Sequence, residues 1–101
     1  MEYSVTHNHE ASRFEIHLEN GQTAYMDYNE TDLGLNFAHT YVPKSFEGRG
    51  IAAAIVKFAL EYVGENDISY IASCPFVRVY LQRHPEYHSL RKEKNHSEET
   101  L

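Results

Sequence analysis

The chain has 101 residues, with 9 basic and 15 acidic side chains and a formal charge of −6. That balance disfavours nucleic-acid backbones and anionic membrane surfaces as partners, and no apolar run approaches the ~20 residues of a membrane span. The length predicts one domain with one modest core, which would bury roughly 60–70% of the surface that the unfolded chain exposes.

The N-terminal MEYSVTHNHE lacks a basic region followed by an apolar one, so no signal peptide is expected. The single cysteine, Cys74, cannot form an internal disulfide and fits a reducing, cytoplasmic setting. His7 and His9 would make a possible metal pair. No third ligand stands at a plausible spacing, so the N-terminal segment reads as solvated and no metal site is expected.

Arg13–Leu18 alternates Phe14, Ile16 and Leu18 with polar neighbours, the period of a strand with one buried face. Asn20-Gly21 then signals a hairpin turn. Thr23–Tyr28 alternates again, with Ala24, Met26 and Tyr28 on one face. Thr31-Asp32 turns the chain into a third strand, Leu33–Val42, where Leu33, Leu35 and Phe37 share a face. A further short strand near Tyr3–Val5 is compatible with the pattern. Pro43 ends the third strand because it cannot donate to a ladder.

Beyond KSFEGRG, Ile51, Ala54, Ile55, Phe58, Ala59, Tyr62 and Val63 fall on one stripe of an amphipathic helix. Gly64 stands where a C′ glycine would close it. Ile68–Ala72 reads as a short apolar strand. Pro75 then opens a second helix at its N1 position, with Phe76, Val79 and Tyr80 on one face, and His84-Pro85 ends it. The order β-β-β-α-β-α predicts an α+β fold, a mostly antiparallel mixed sheet with two main helices. Residues 1–90 form the expected domain. The charged segment 91–101 is expected to be a flexible tail.

The stretch that carries chemistry is Val42–Ala54, VPKSFEGRGIAAA. Gly48 and Gly50 lie between a strand and a helix N-terminus. Glycine permits positive φ and close backbone approach, and the first helical turn leaves amide N–H groups unpaired. With the helix dipole these form an anion site, and Arg49 adds a positive charge beside it. A pyrophosphate is the natural guest; a tight strand–helix turn with no ligand is the competing reading. The stretch lacks the Gly-Lys-Ser/Thr ending of a Walker A loop and the third glycine of a dinucleotide fingerprint.

Glu47–Ala52, EGRGIA, resembles the acetyl-CoA motif of the GNAT acetyltransferases, Arg/Gln-x-x-Gly-x-Gly/Ala. More closely, the chain resembles a compact GNAT-like subfamily through an ordered set of elements spanning about residues 5–90. These are Arg13-Phe14-Glu15, Ala24-Tyr25 with Tyr28, His39-Thr40 before Val42-Pro43, Gly48-Arg49-Gly50-Ile51-Ala52, and Ser73-Cys74-Pro75-Phe76-Val77. Tyr80 with His84-Pro85-Glu86-Tyr87 completes the set.

The resemblance implies a GNAT-like fold trimmed of its first helices, with acetyl-CoA in a cleft between splayed strands. It places coenzyme A against Tyr41, Val42, Gly48, Arg49, Gly50, Ile51, Ala52, Cys74, Phe76 and Tyr80. It also implies N-acetyltransfer to an unidentified amine acceptor; separately, a monomer is expected. Two positions depart from the pattern. Glu47 stands where the motif has Arg or Gln, and its charge would repel a pyrophosphate unless Arg49 compensates. Tyr41 stands where the subfamily usually has a glutamate.

Acetyl transfer to an amine requires a neutral amine, a polarised thioester and a proton for the departing sulfur. Tyr80 matches the position where GNAT enzymes often place a tyrosine proton donor; a core tyrosine is the alternative. Cys74, at the N-cap of the second helix, could carry the acetyl group if the helix favours its thiolate. A small buried apolar role, common for a free cysteine, is the preferred reading, still near the bound cofactor. His39 has the titration range to deprotonate an amine, or it could be structural. An acetyltransferase, a non-catalytic acyl-CoA carrier and a pure interaction domain all remain compatible with these residues.

Overall fold

The computed structural model describes residues 3–89; the expected tail at 91–101 lies outside them. Five strands form one sheet in sequence order. They are β1 (Thr6–Asn8), β2 (Arg13–His17), β3 (Thr23–Thr31), β4 (Gly34–Tyr41) and β5 (Tyr70–Ala72). The first four pair antiparallel, and β5 joins β4 in parallel after the crossover helix α1 (Ile51–Glu65). A second helix, α2 (Pro75–Arg83), follows β5 and runs into a short 3-10 segment, Pro85–Ser89. The architecture is the expected α+β mixed sheet, with β1 at Thr6–Asn8 rather than nearer the N-terminus.

Alternation along β2 and β3 buries Phe14, Ile16, Leu18, Ala24, Met26 and Tyr28 under α1. The Asn20-Gly21 turn closes this hairpin, with Leu18 N–H donating to Gln22 O at 2.8 Å. Glu15 points to the opposite face of the sheet and is still only 3% exposed. Its Oε2 accepts from Arg13 Nε at 2.6 Å and Asn8 Nδ2 at 3.1 Å. Burial works against ionisation there. The hydrogen bonds from Arg13 and Asn8, with the charges of Arg13 and His17, outweigh it and hold the carboxyl below its ordinary value.

The helix stripe differs from the sequence reading. Ile51, Ile55, Val56, Ala59, Leu60 and Val63 are buried, while Phe58 is 37% exposed and rests its ring edge on Phe14. Helix α1 packs against α2 as well as β2 and β3, so its buried arc takes in Val56 and Leu60. Gly64 does not close the helix. It lies in the last turn, Asn66 is the cap, and Asp67 carries the positive φ of 56°. The bonds Asp67 N–H to Gly64 O at 3.3 Å and Ile68 N–H to Val63 O at 2.9 Å complete a Schellman closure. Leu33 also departs from expectation: it sits in the β3–β4 turn and is 39% exposed.

That turn brings Gly34 against the start of β5. Its φ is +126°, and a Cβ there would lie 2.1 Å from the carbonyl oxygen of Ser69. The same oxygen accepts the N–H of Leu35 at 3.0 Å. Gly34→Ala therefore combines backbone strain of about 1–2 kcal/mol with overpacking of about 1–3 kcal/mol. We expect a loss of roughly 2–5 kcal/mol, read from the urea midpoint at unchanged m-value.

Candidate functional site

The parallel ladder between β4 and β5 is short: Leu35 with Tyr70, Asn36 with Ile71, Phe37 with Ala72. It ends where Phe37 O accepts both Ser73 N–H, at 3.1 Å, and Cys74 N–H, at 3.0 Å. From there β5 gives way to α2, with Cys74 at the N-cap and Pro75 at N1, while β4 continues beside β3 to Tyr41. The two chains diverge, and a cleft of about 830 Å³ opens between them.

A bulge sets which side chains meet that cleft. Asp27 pairs with His39 and Tyr28 with Phe37, so Ala38 is the extra residue. Regular alternation would carry His39 to the core side with Leu35 and Phe37. The bulge inverts the parity: Thr40 and Val42 reach the cleft, and His39 stands on the opposite face, exposed, 6.5 Å from the ring of Tyr25. The structure thus separates His39 from the other candidates. The Tyr41 ring also packs with Tyr25, at 5.5 Å, although the residue borders the cleft.

The floor of the cleft is the N-terminus of α1. Gly48 and Gly50 have φ of 86° and 79°, and Gly50 caps the helix without a side-chain hydrogen bond. The first N–H to find a helical acceptor is that of Ala54, bonded to Gly50 O at 3.0 Å. The amides of Ile51, Ala52 and Ala53 precede it, and all three residues line the cleft. A Cβ added at either glycine would meet no atom within 4 Å, so the space above this backbone is open. Helix α2 supplies the facing wall through Phe76 and Val79, 39% and 43% exposed, and Tyr80, 8% exposed.

Charges around the opening differ from the sequence reading. Lys44, Arg83 and Glu47 line the cleft, and Arg49 does not. The Arg49 guanidinium lies over the Phe46 ring at 4.6 Å and meets Glu19 at 3.3 Å. It is therefore not placed to offset Glu47. Lys44, Phe46, Val79, Arg83 and His84 were not among the sequence candidates. The spacing of Val79, Arg83 and His84 from Phe76 was the available signal, since it puts them on one side of a helix.

Tyr80 stacks on His84 at 4.1 Å. Burial pushes its phenol up from the ordinary value. A hydrogen bond with Tyr87 opposes this, and the charges of Glu86 and Glu61 add to it. Cys74 is 4% exposed behind the cleft wall, its Sγ 3.3 Å from Thr40 Oγ1. His7 is not a solvated residue. It is half-buried, stacked on Phe14 at 4.3 Å, with Nε2 2.7 Å from the Tyr28 hydroxyl.

A strand pair that splays onto the uncapped start of a crossover helix is the feature to set beside known proteins. The family model described as GCN5-related N-acetyl-transferase matches residues 13–90. The chain belongs to this family. The NMR solution structure of a GCN5-like protein from Staphylococcus aureus superposes with a TM-score of 0.67 at 28% identity, covering 93% of this chain and 94% of that one. Protein NATD1 of Mus musculus is 31% identical over 84 residues, 80% of this chain and 76% of its own length. NATD1 of Xenopus tropicalis is 35% identical over 51 residues, 50% of this chain. The chain spans about half the length of the Xenopus tropicalis and Gallus gallus relatives, at 47% and 46%.

In this GCN5-related chain the left-handed cap at Gly50 can be probed directly. A methyl group meets no neighbour there, so Gly50→Ala should cost only the backbone strain, about 1–2 kcal/mol. The variant is expected to remain folded with a correspondingly lower urea midpoint. A wild-type midpoint would mean that Gly50 does not hold positive φ in solution.

Proposed function

We propose that this chain is an acetyl-CoA-dependent N-acetyltransferase that moves an acetyl group to an amine acceptor. The observation that carries the reading is the uncapped first turn of α1 opening into a cleft whose far wall ends in Tyr80. The residues fit the cofactor. The N–H groups of Ile51, Ala52 and Ala53, with the helix dipole, suit a pyrophosphate, and the open space above Gly48 and Gly50 admits it. Lys44 and Arg83 supply positive charge for phosphates, against a single carboxylate from Glu47. The backbone of Tyr41 and Val42, past the end of the β4–β5 ladder, is free of a strand partner on that side and can bond the pantetheine amides. Phe76 and Val79 exclude water from the arm.

Acetyl-CoA, when bound, supplies an activated acetyl thioester. Tyr80 holds the proton that the departing sulfur needs, and its buried phenol keeps that proton at neutral pH. Cys74 serves as a packing residue, since its sulfur is buried against Thr40 and outside the cleft lining. This favours direct transfer over an acetyl-cysteine. His39, on the other face of the sheet, has no part in the chemistry. A cytoplasmic setting accords with this reading, and among the described residues no helix is long and apolar enough to cross a membrane.

Coenzyme A should raise the melting temperature. Binding to the folded state alone adds about 2.7 kcal/mol at a hundredfold excess over Kd. With a panel of primary amines, Tyr80→Phe should lower kcat by about 10²–10⁴-fold at unchanged CoA affinity. No thermal shift at millimolar CoA would defeat the reading. Binding without turnover on any amine would favour an acyl-CoA carrier. An acetyl adduct on Cys74 in the mass spectrum would replace direct transfer.

A further inference from the structure

Acetyl transfer needs a polarised thioester as well as a proton for the sulfur, and Tyr80 meets only the second need. The lining residues of β4 run Val42, Tyr41, Thr40 toward the point where the ladder to β5 closes at Phe37. Thr40 is the nearest of them to that closed end. It stands opposite Met26, so its side chain shares the face of the sheet that carries the core. The bulge at Ala38 is what puts it there. Pyrophosphate on α1 and pantetheine beside Val42 and Tyr41 leave the thioester at Thr40.

Behind Thr40 lies Cys74. Its Sγ is 3.3 Å from Thr40 Oγ1, and the residue is 4% exposed and outside the cleft lining. The contact can run in two directions. A hydroxyl offers one hydrogen and two lone pairs, and sulfur is the weaker acceptor. If Thr40 donated to Cys74, its single hydrogen would go to the poorer acceptor and the buried S–H would lose this partner. If Cys74 donates, its S–H is satisfied and the Thr40 hydrogen is left for the cleft. The second arrangement satisfies more groups.

We propose that the Thr40 hydroxyl binds and polarises the thioester carbonyl, and that Cys74, beyond its packing, orients that hydroxyl by donating its S–H to Oγ1. The proposal rests on the acetyl-transfer reading and assigns the group which that reading leaves out. The lone pair of a neutral amine forms the C–N bond, and Thr40 meets the charge that gathers on the carbonyl oxygen. The electron pair returns as the C–S bond breaks. The sulfur takes the proton of Tyr80, and Tyr80 recovers one from nitrogen. Nitrogen thus loses one proton and sulfur gains one, while Thr40 keeps its own throughout. Thr40 touches a reacting atom and is a catalytic residue. Cys74 acts through it and is a positioning residue.

The direction of the bond can be read without coenzyme. Cys74 is the only cysteine of the chain, so a Raman S–H stretch belongs to it alone. The band should lie at the lowered frequency of a hydrogen-bond donor, rise in Thr40→Val and stay low in Thr40→Ser. A wild-type band at the frequency of a free thiol overturns the proposal. The second readout is the infrared carbonyl stretch of ¹³C-labelled acetyl-CoA bound without an amine. It should be lowered in the wild type and in Thr40→Ser, and return toward the free value in Thr40→Val. With an amine present, Thr40→Val should lose about 10²–10³-fold in kcat at nearly unchanged KM for acetyl-CoA. Thr40→Ser, which keeps the hydroxyl, should recover most of the loss. Cys74→Ala should lose less than Thr40→Val, and Cys74→Ser, which keeps a donor, should lie closer to the wild type. A wild-type carbonyl band in Cys74→Ala overturns the positioning role. An unshifted carbonyl in the wild type, or wild-type kcat in Thr40→Val beside a slow Tyr80→Phe, overturns the role of Thr40 and leaves the acetyl-transfer reading intact. A wild-type protein that acetylates no amine removes that reading and the role of Thr40 together, before any variant is compared.

Discussion

The carbonyl oxygen of Phe37 accepts two consecutive backbone N–H groups, those of Ser73 and Cys74. A continuing parallel ladder spaces its donors along the partner strand; here both converge on one acceptor, and the ladder can go no further. Pro75 follows at once and has no N–H to offer. The β5 chain must therefore turn into α2, while β4 stays bound to β3. The gap beyond Phe37 is the direct result. Had the strands stayed zipped as far as Thr40, the N-terminus of α1 would face a closed sheet edge.

The gap leaves polar and apolar groups without partners, and the chain meets the two demands differently. Backbone groups at a free edge and at an uncapped helix start need hydrogen bonds from somewhere. Water can supply these in the free protein, and a ligand can in the complex. Phe76 and Val79 have no such alternative. Their exposed apolar surface is a standing cost that a covering ligand would relieve, at about 25 cal/mol per Å². The residues that remain buried on α2, Val77, Tyr80 and Leu81, hold the wall in place.

The antiparallel strands and both helices were legible because single-faced burial imposes its period on the sequence: Phe14, Ile16 and Leu18, then Ala24, Met26 and Tyr28. The G-x-G segment was legible because few backbones need two left-handed residues at a helix start. Other features depend on contacts between distant segments. The bulge at Ala38 shows in no local pattern, so the face of His39 was unreadable. Arg49 was assigned to the anion site by adjacency, but Phe46 and Glu19 claim its side chain. Phe76 and Val79 share a helix face with Tyr80, and apolar spacing alone cannot tell a core from the wall of a cleft. Asp67, rather than the nearby Gly64, closes α1 because the chain must reach Ile68 in register for β5.

The bulge also constrains how this chain can change length. Ala38 is the one residue without a partner on β3, so deleting it would leave His39, Thr40 and Tyr41 opposite the same β3 residues and on the same faces as before. Such a single-codon deletion would keep the β4 side of the cleft and remove mainly the local twist of the bulge. Flattening the bulge with Ala38 retained is the damaging event: His39 and Tyr41 would turn toward the helices, and Thr40 and Val42 would turn away, although composition would not change at all. Among family members, a one-residue alignment gap should be tolerated at Ala38 and avoided from Thr40 to Val42.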